Sequence, residues 1–388
     1  MSTEEGSPAY RRLEVGDPAP WFTQRTGGNA RFVMDVVAGR YIVLGFHGSA
    51  ADPAGRAAIE AVVANRHLFD DAKAAFFGVT IDPGDEAAGR VADMIPGIRF
   101  FLDFDLTISR LYGAAPADAA AGDGELPFRR FFVVLDPTLR IRALFPFDAM
   151  ERLFGFIAGL PAADHYAGIA LQAPILFLPN VFEPEFCRHL VDLYERHGGA
   201  ESGFMREVDG KTVAIQDRSH KQRRDYNIED DEVIAATRAR IRRRVAPEIQ
   251  KVHQFAVTRM ERYIVCCYDA EEGGHFRAHR DNTTKGTAHR RFAVSINLND
   301  DFDGGEVSFP EYGPRSFKPP PGGAVVFSCS LLHAVSRVTR GRRYAFLPFL
   351  YDDAAAKIRE ANNQFLGQGV GNYRTDAGEP AAAQAASR

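Results

Sequence analysis

A histidine and an aspartate one residue apart, His279 and Asp281 in GGHFRAHRD, are followed 52 positions after Asp281 by His333 in VVFSCSLLHAV. In extended backbone alternate side chains leave on the same face, so the imidazole of His279 and the carboxylate of Asp281 can reach one ion. His333 lies just beyond a strongly apolar strand, and a closed sheet can bring it opposite the first pair. Two neutral nitrogens and one carboxylate oxygen on one face of Fe(II) leave three coordination positions open. A chelating co-substrate and dioxygen can then bind together, which a closed four-ligand site would not permit. An HxD pair alone is weak evidence, because a chain with eleven histidines produces such spacings by chance.

The downstream context adds weight. Arg343 stands ten residues after His333, in HAVSRVTRGRRYAFLPFL. The turn at Thr339–Gly341 ends one strand and starts the next, which puts Arg343, Ala345, Leu347 and Phe349 on one face. An arginine entering an apolar barrel needs an anionic partner, since an unpaired buried charge is very costly. A dicarboxylate co-substrate supplies one, and the guanidinium fork can hold its far carboxylate through two bonds. Ala345 leaves room beside it, and Arg342, by alternation, should point away. In RFAVSINLN (291–299), Phe292, Val294, Ile296 and Leu298 form an apolar face, while Ala293, Ser295 and Asn297 form a small or polar one suited to lining a site. Tyr268, eleven residues before His279, can turn its hydroxyl inward or serve as a core tyrosine bonded to backbone; the residues alone leave both open.

Two regions position these residues. Residues 13–160 alternate apolar strands (Tyr41–Phe46, Ala75–Asp82, Ile98–Asp103, Phe131–Asp136, Ile141–Phe145) with helical stretches at Pro53–Arg66, Asp85–Met94 and Ala149–Gly159, the pattern of an α/β layer structure. Residues 161–174, rich in Ala and Pro, read as a linker. From 175 to 355 the helices Pro184–His197 and Asp231–Arg244 precede strand signals at Thr258–Tyr268, Arg291–Asn299, Glu306–Phe309, Gly323–Ser328 and Arg343–Tyr351. Glycine and proline clusters punctuate them, which suggests a helix-supported β-barrel or jelly roll. Low hydrophobicity predicts disorder for 368–388. The basic clusters His220–Arg224 and Arg238–Arg244 suit either a substrate with phosphates or carboxylates or, the reading preferred, a solvated helix face balanced by Glu229–Glu232.

Bulk composition narrows the class. Lys plus Arg total 47 against 51 Asp plus Glu, a net charge of −4, which argues against a dedicated nucleic-acid binder. No apolar run approaches the roughly 18 residues of a membrane helix, and the first residues hold no signal-peptide core, so a soluble, cytoplasmic protein is expected. All four cysteines (Cys187, Cys266, Cys267, Cys329) fall in the second half, with spacing that fits neither a zinc ribbon nor a CxxC pair. Buried free thiols are the reading.

The motifs CYDAEEGGHFRAHRDN, RRFAVSINLNDDFDGGEVSF and PPGGAVVFSCSLLHAVSRVTRGRRYAF, in that order, make residues 175–352 similar to the prolyl-4-hydroxylase-type branch of the Fe(II)/2-oxoglutarate dioxygenases. The resemblance implies a double-stranded β-helix, an α+β jelly-roll domain. His279, Asp281 and His333 would hold Fe(II), Arg343 would pair with the 2-oxoglutarate tail, and Tyr268 would support it by hydrogen bonding. Asn297 sits where relatives often carry a tyrosine that contacts the co-substrate. It further implies O2 as oxidant, ascorbate as an accessory reductant, and succinate and CO2 as products. Halogenases of the family replace the acidic ligand with a small residue; Asp281 is retained here, which favours hydroxylation of a protein or small-molecule substrate.

The first region, 13–160, resembles a peroxiredoxin-type thioredoxin fold in VGDPAPWF, YIVLGFHGSAADPAG and FRRFFVVLDPTLRI. That family places a peroxidatic cysteine shortly after a proline, where this chain reads DPAGR with Gly55 near the thiol's position. Without a thiolate there is no nucleophile for peroxide. A silent module for docking, dimerisation or substrate presentation is expected, and His47 reads as a surface histidine. Two other classes stay open on the sequence: a non-catalytic redox or interaction adaptor, and a cupin-like metalloenzyme that uses no 2-oxoglutarate.

Overall fold

The structure, a computed structural model, describes residues 9–119 and 126–374. Residues up to Gln172, with Pro310–Pro314, form one compact unit; Ala173–Phe309 and the residues from Arg315 form the second. In the first unit a five-stranded sheet runs in the order Ile98–Leu102, Ala74–Thr80, Tyr41–Gly48, Phe131–Leu135, Ile141–Pro146. The first three strands are parallel and the last two antiparallel, giving a thioredoxin-like α/β sheet. Tyr41–Gly48 and Ala74–Thr80 are buried along their whole length, as strands covered on both faces must be, which is why they read as unbroken apolar runs. Helix Pro53–Ala64 starts on Asp52, whose carboxylate accepts from the Ala54 N–H, with Pro53 in the first turn.

Two expectations for this unit are corrected. The helix expected over Asp85–Met94 is a single short helix, Pro83–Ala87. Gly89 at φ +64° ends the helical path, and Arg90 folds back to bond Asp85 at 2.7 Å. His47 is not at the surface: it is 2% exposed, lies edge-on to Phe100, and its Nε2 has no partner. At Gly55 a Cβ would come within 2.0 Å of the Ser49 carbonyl oxygen, so backbone occupies the space a side chain would need.

The second unit is an antiparallel jelly roll. Its larger sheet runs Arg259–Glu261, Phe349–Tyr351, Phe292–Asn297, Arg342–Phe346, Ile264–Asp269, Arg224–Asn227, Ala200–Glu201, with Ala324–Ser328 and Leu176–Leu178 continuing from Phe292–Asn297. The smaller sheet runs Lys221–Gln222, His275–His279, His333–Val335, Val307–Ser308, Ser316–Phe317. Helices Pro184–His197, Asp231–Arg244 and Ala246–His253 cover one face of the larger sheet. Their Leu190, Ile241 and Ile249 share a core with Val265, Cys267, Val294, Ile296, Tyr344 and Phe346. Strand alternation then sends Cys266, Tyr268, Ser295, Asn297, Arg343 and Ala345 to the other face. All six are buried.

Two strands are shorter than expected. Thr258–Tyr268 divides at Arg262, whose φ of +67° leaves the extended region. Arg343–Tyr351 divides before Phe349, where Pro348 has no N–H to give a ladder. A further helix, Asp353–Ala361, follows, and Tyr373 bonds Asn363 through its backbone N–H at 2.9 Å. Of the tail from 368, residues 375–388 lie outside the described residues. All four cysteines are buried and free. No helix among the described residues is long and apolar enough to cross a membrane.

Gly55→Cys is expected to destabilise the first unit by about 3 kcal/mol, because the new side chain overpacks against backbone. Chemical denaturation followed by the fluorescence of Trp21, the chain's single tryptophan, measures this, and an unchanged midpoint would contradict the clash. Burial pulls the pKa of His47 from 6.5 to about 4. Between those values the unfolded chain takes up a proton that the folded chain does not. The contribution of His47 is therefore complete above pH 6.5 and lost by about pH 4, a change of about 3 kcal/mol. The same titrations on His47→Asn should show that slope removed.

Candidate metal centre and anion site

In the smaller sheet His279 lies directly opposite His333, past a bulge in the pairing of His275–His279 with His333–Val335. Asp281 follows the first strand, held where its N–H donates to the Cys329 carbonyl at 2.9 Å. Its two oxygens then face one imidazole each: Oδ1 is 3.5 Å from His279 Nε2, and Oδ2 is 3.4 Å from His333 Nε2. One ligand atom from each of the three residues falls within 4.8 Å of the others.

The tautomers suit a metal. Nδ1 of His279 lies 2.8 Å from the Arg277 carbonyl, and Nδ1 of His333 lies 3.0 Å from that of Leu331. Each Nδ1–H donates to a carbonyl, so each Nε2 keeps its lone pair toward Asp281. Burial, with His279 alongside, pulls the pKa of His333 down to about 4, so this ring is neutral at pH 7. Burial pushes the Asp281 carboxyl up, but the adjoining His333 and His279 rings outweigh it and hold the group well below the usual carboxylate range. Phe276 stacks on His279 with ring centroids 3.5 Å apart, and Phe327 packs on His333 at 4.6 Å, fixing both rings.

The inner face of the larger sheet carries the second part of the site. Arg343 is 1% exposed. Its Nε donates to Asn297 Oδ1 at 3.0 Å and its Nη2 to Ser295 Oγ at 2.8 Å, while Nη1 has no partner. Asn297 is turned toward it because its own Nδ2 donates to the Pro319 carbonyl at 2.9 Å. Burial lowers the guanidinium's pKa, and no described carboxylate pairs with it. Gly305, at φ +64°, passes over this side chain so closely that a Cβ would meet Arg343 Cδ at 3.0 Å. Tyr268 lies opposite Arg343 in the ladder, its ring centroid 5.3 Å from the Arg343 Cζ. Its hydroxyl faces inward and accepts from Arg223 Nη1 at 3.3 Å. Arg342 points away, to Asp269.

The structure brings His279, Asp281 and His333 together in one sheet, and Arg343, Tyr268 and Asn297 together in the other. It corrects the reading of the basic clusters. His220–Arg224 is not on a helix: Lys221, Gln222 and Arg223 are buried around two short strands. Arg238–Arg244 does lie on a helix, but Arg240 and Arg244 pair with Glu183 rather than with Glu229–Glu232. Two groups of polar residues went unseen. Arg223 pairs with Asp225 at 2.7 Å, and Glu261 gathers Arg290, Arg359 and His289 within 3.2 Å. Arg290 also reaches the Asp281 carbonyl at 3.4 Å. The available signal was the two-residue spacing of Arg223 and Asp225; nothing local marked Glu261.

A jelly roll with a two-histidine, one-carboxylate cluster defines a class of metal-binding proteins, and comparison with known proteins refines it. The model of the 2OG-Fe(II) oxygenase superfamily matches residues 263–351. A PKHD-type hydroxylase of Gluconobacter oxydans is 32% identical over 181 residues, which cover 44% of this chain and 75% of that protein. One from Paracoccus denitrificans is 43% identical over 84 residues, 19% of this chain and 37% of that protein. Among solved structures, a Pseudomonas putida prolyl-4-hydroxylase aligns at 16% identity and TM-score 0.36 over 48% of this chain and 95% of its own. A yeast mitochondrial 1-Cys peroxiredoxin aligns at 18% identity and TM-score 0.35 over 49% of this chain and 95% of its own. The chain belongs to the 2OG-Fe(II) oxygenase superfamily.

Removing the carboxylate between the two imidazoles should cost far more metal affinity than protein stability. Asp281→Ala is expected to weaken Fe(II) or Co(II) binding by at least about 100-fold in anaerobic titration. An unchanged metal affinity would place the binding site elsewhere.

Proposed function

We propose that the second unit is an Fe(II)- and 2-oxoglutarate-dependent dioxygenase that hydroxylates a C–H bond of a peptidyl or small-molecule substrate, with release of succinate and CO2. In this reading His279, Asp281 and His333 hold the iron. Arg343 takes the distal carboxylate of 2-oxoglutarate, with Tyr268 and Asn297 in support. The observation that carries it is Arg343: a guanidinium 1% exposed, with an unpartnered Nη1 and no described acid beside it. Leaving such a charge unpaired is costly, and a bound carboxylate removes that cost. The donor set fits ferrous iron too, with two neutral imidazole nitrogens and one ionised carboxylate converging from one side.

When bound, the iron supplies redox chemistry with O2 that no side chain can perform. The chain's own residues orient and exclude. The carbonyls of Arg277 and Leu331 keep both imidazoles in the ligating tautomer. Asn297 and Ser295 hold the guanidinium of Arg343 so that one N–H group remains for the anion. Phe276, Phe309 and Phe327 line the imidazoles with apolar surface, which keeps competing water from the centre. The retained Asp281 favours hydroxylation over halogenation, and the PKHD-type hydroxylases among the relatives favour the same reaction. The first unit, 13–160, serves docking or dimerisation in this proposal, since it has no cysteine to act on peroxide.

Anaerobic titration of 2-oxoglutarate into the Fe(II)-loaded protein should show a visible charge-transfer band, and admission of air should yield succinate. Arg343→Ala should weaken 2-oxoglutarate binding by about 30-fold or more while leaving Fe(II) affinity within about twofold. Equal losses of both would remove the co-substrate assignment. Iron binding indifferent to 2-oxoglutarate would favour a metalloenzyme of another kind.

A further inference from the structure

Arg223 is the buried cation that the reading so far leaves without a task. It is 3% exposed and stands where the chain leaves Lys221–Gln222 in the smaller sheet and enters Arg224–Asn227 in the larger one. The register places it. Arg224 pairs with Cys267 and Asp225 with Cys266, so Arg223 comes level with Tyr268, which is itself paired with Arg343. One row across the inner face therefore reads Arg223, Tyr268, Arg343. The guanidinium carbons lie 5.6 and 5.3 Å from the centroid of the tyrosine ring.

The charge of this row is unbalanced. Asp225 is the one described acid bonded to it, and its Oδ2 already takes Arg223 at 2.7 Å, Arg262 at 3.2 Å and the Ser202 hydroxyl. Two guanidinium groups thus share a single carboxylate, and the third, Arg343, has none among the described residues. Two arginines kept on either side of one ring in a low-dielectric interior repel each other, so the row favours the arrival of an anion.

Hydrogen-bond direction says what Arg223 does for that anion. A guanidinium can only donate, so the Arg223 Nη1 contact at 3.3 Å uses a lone pair of the Tyr268 oxygen. The phenol's own proton must then point away from Arg223, and among the described residues no acceptor is bonded to it. The unpartnered Nη1 of Arg343 and Nε of Arg223 are the other unused donors of the row. Arg223 cannot easily drift, because Asp225 and Ser202 hold its Nη2 at 2.7 and 3.2 Å.

We infer that Arg223 is a positioning residue that fixes Tyr268 as a hydrogen-bond donor, so that Tyr268 and Arg343 together grip the distal carboxylate of the co-substrate. This rests on the 2-oxoglutarate reading above and adds a residue to it. Arg223 acts through Tyr268, and its effect is confined to ligands that carry a distal carboxylate.

A double-mutant cycle on the full chain tests this, with anaerobic calorimetry of 2-oxoglutarate binding to the Fe(II)-loaded protein. Arg223→Met and Tyr268→Phe should each weaken binding about tenfold, and the double variant should be no weaker than Tyr268→Phe alone. Binding of 2-oxobutyrate, which lacks the distal carboxylate, should change less than about twofold in all three. Arg223→Lys keeps an N–H donor and should recover most of the loss; Arg223→Gln, uncharged and shorter, replaces Arg223→Met in the cycle if that variant does not fold. Losses that multiply in the double variant, or that fall equally on 2-oxobutyrate, would overturn the assignment. A wild-type protein that binds Fe(II) but not 2-oxoglutarate would overturn the functional reading and this inference with it, whereas wild-type binding with multiplicative losses overturns the inference alone.

Discussion

A guanidinium removed from water has to be given an anion or surrounded by neutral acceptors, and Arg343 has been given only the latter. Asn297 and Ser295 satisfy two of its nitrogen groups without neutralising its charge. The rest of the second unit can be understood as what keeps that charge in place. Helices on one face of the larger sheet force the alternate residues inward, the Pro319 carbonyl fixes the amide of Asn297, and Gly305 lets the chain cross directly over the side chain. A charge maintained at such cost is more consistent with a binding function than with stability, since buried ionic groups seldom stabilise a fold.

The two sheets divide the work. The smaller one gathers two imidazoles around one carboxylate, each ring with its Nδ1 committed to a backbone carbonyl. The larger one carries cations and hydroxyl groups suited to an anion. Around them lies a third layer, in which Glu261 holds Arg290, Arg359 and His289, and Arg290 touches the carbonyl of Asp281. Through Arg359 the helix Asp353–Ala361 is thereby tied to the loop bearing Asp281. Such outer contacts hold ligands in register when the sheet itself is irregular, as it is at the bulge beside His279.

The first unit is a layered α/β structure with no cysteine among its residues. Its central strands are buried on both faces and its helix is capped by Asp52, so sheet and loop remain well determined. At Gly55, in the first turn of that helix, the Ser49 carbonyl fills the space a side chain would need, so any larger residue there has to displace backbone. His47, buried and neutral, belongs to the packing of that unit.

The amino-acid sequence was sufficient for features governed by local rules. HxD on extended backbone, a histidine after an apolar strand, and alternation in RFAVSINLN and RRYAF all follow from a two-residue repeat, so the ligand cluster, Arg343 and Asn297 were legible before any fold was known. The ends of elements were less so where one residue leaves the regular path, as Arg262, Gly89 and Pro348 do. Tertiary structure alone decided the fate of HKQRR and of Glu261. Strands of two to four residues carry too little periodicity to announce themselves, and whether an arginine is solvated or enclosed depends on what lies across the sheet. Arg223 is enclosed because Tyr268 and Asp225, distant by 45 and two positions, meet it there. That is a property of register, which no single stretch of chain contains.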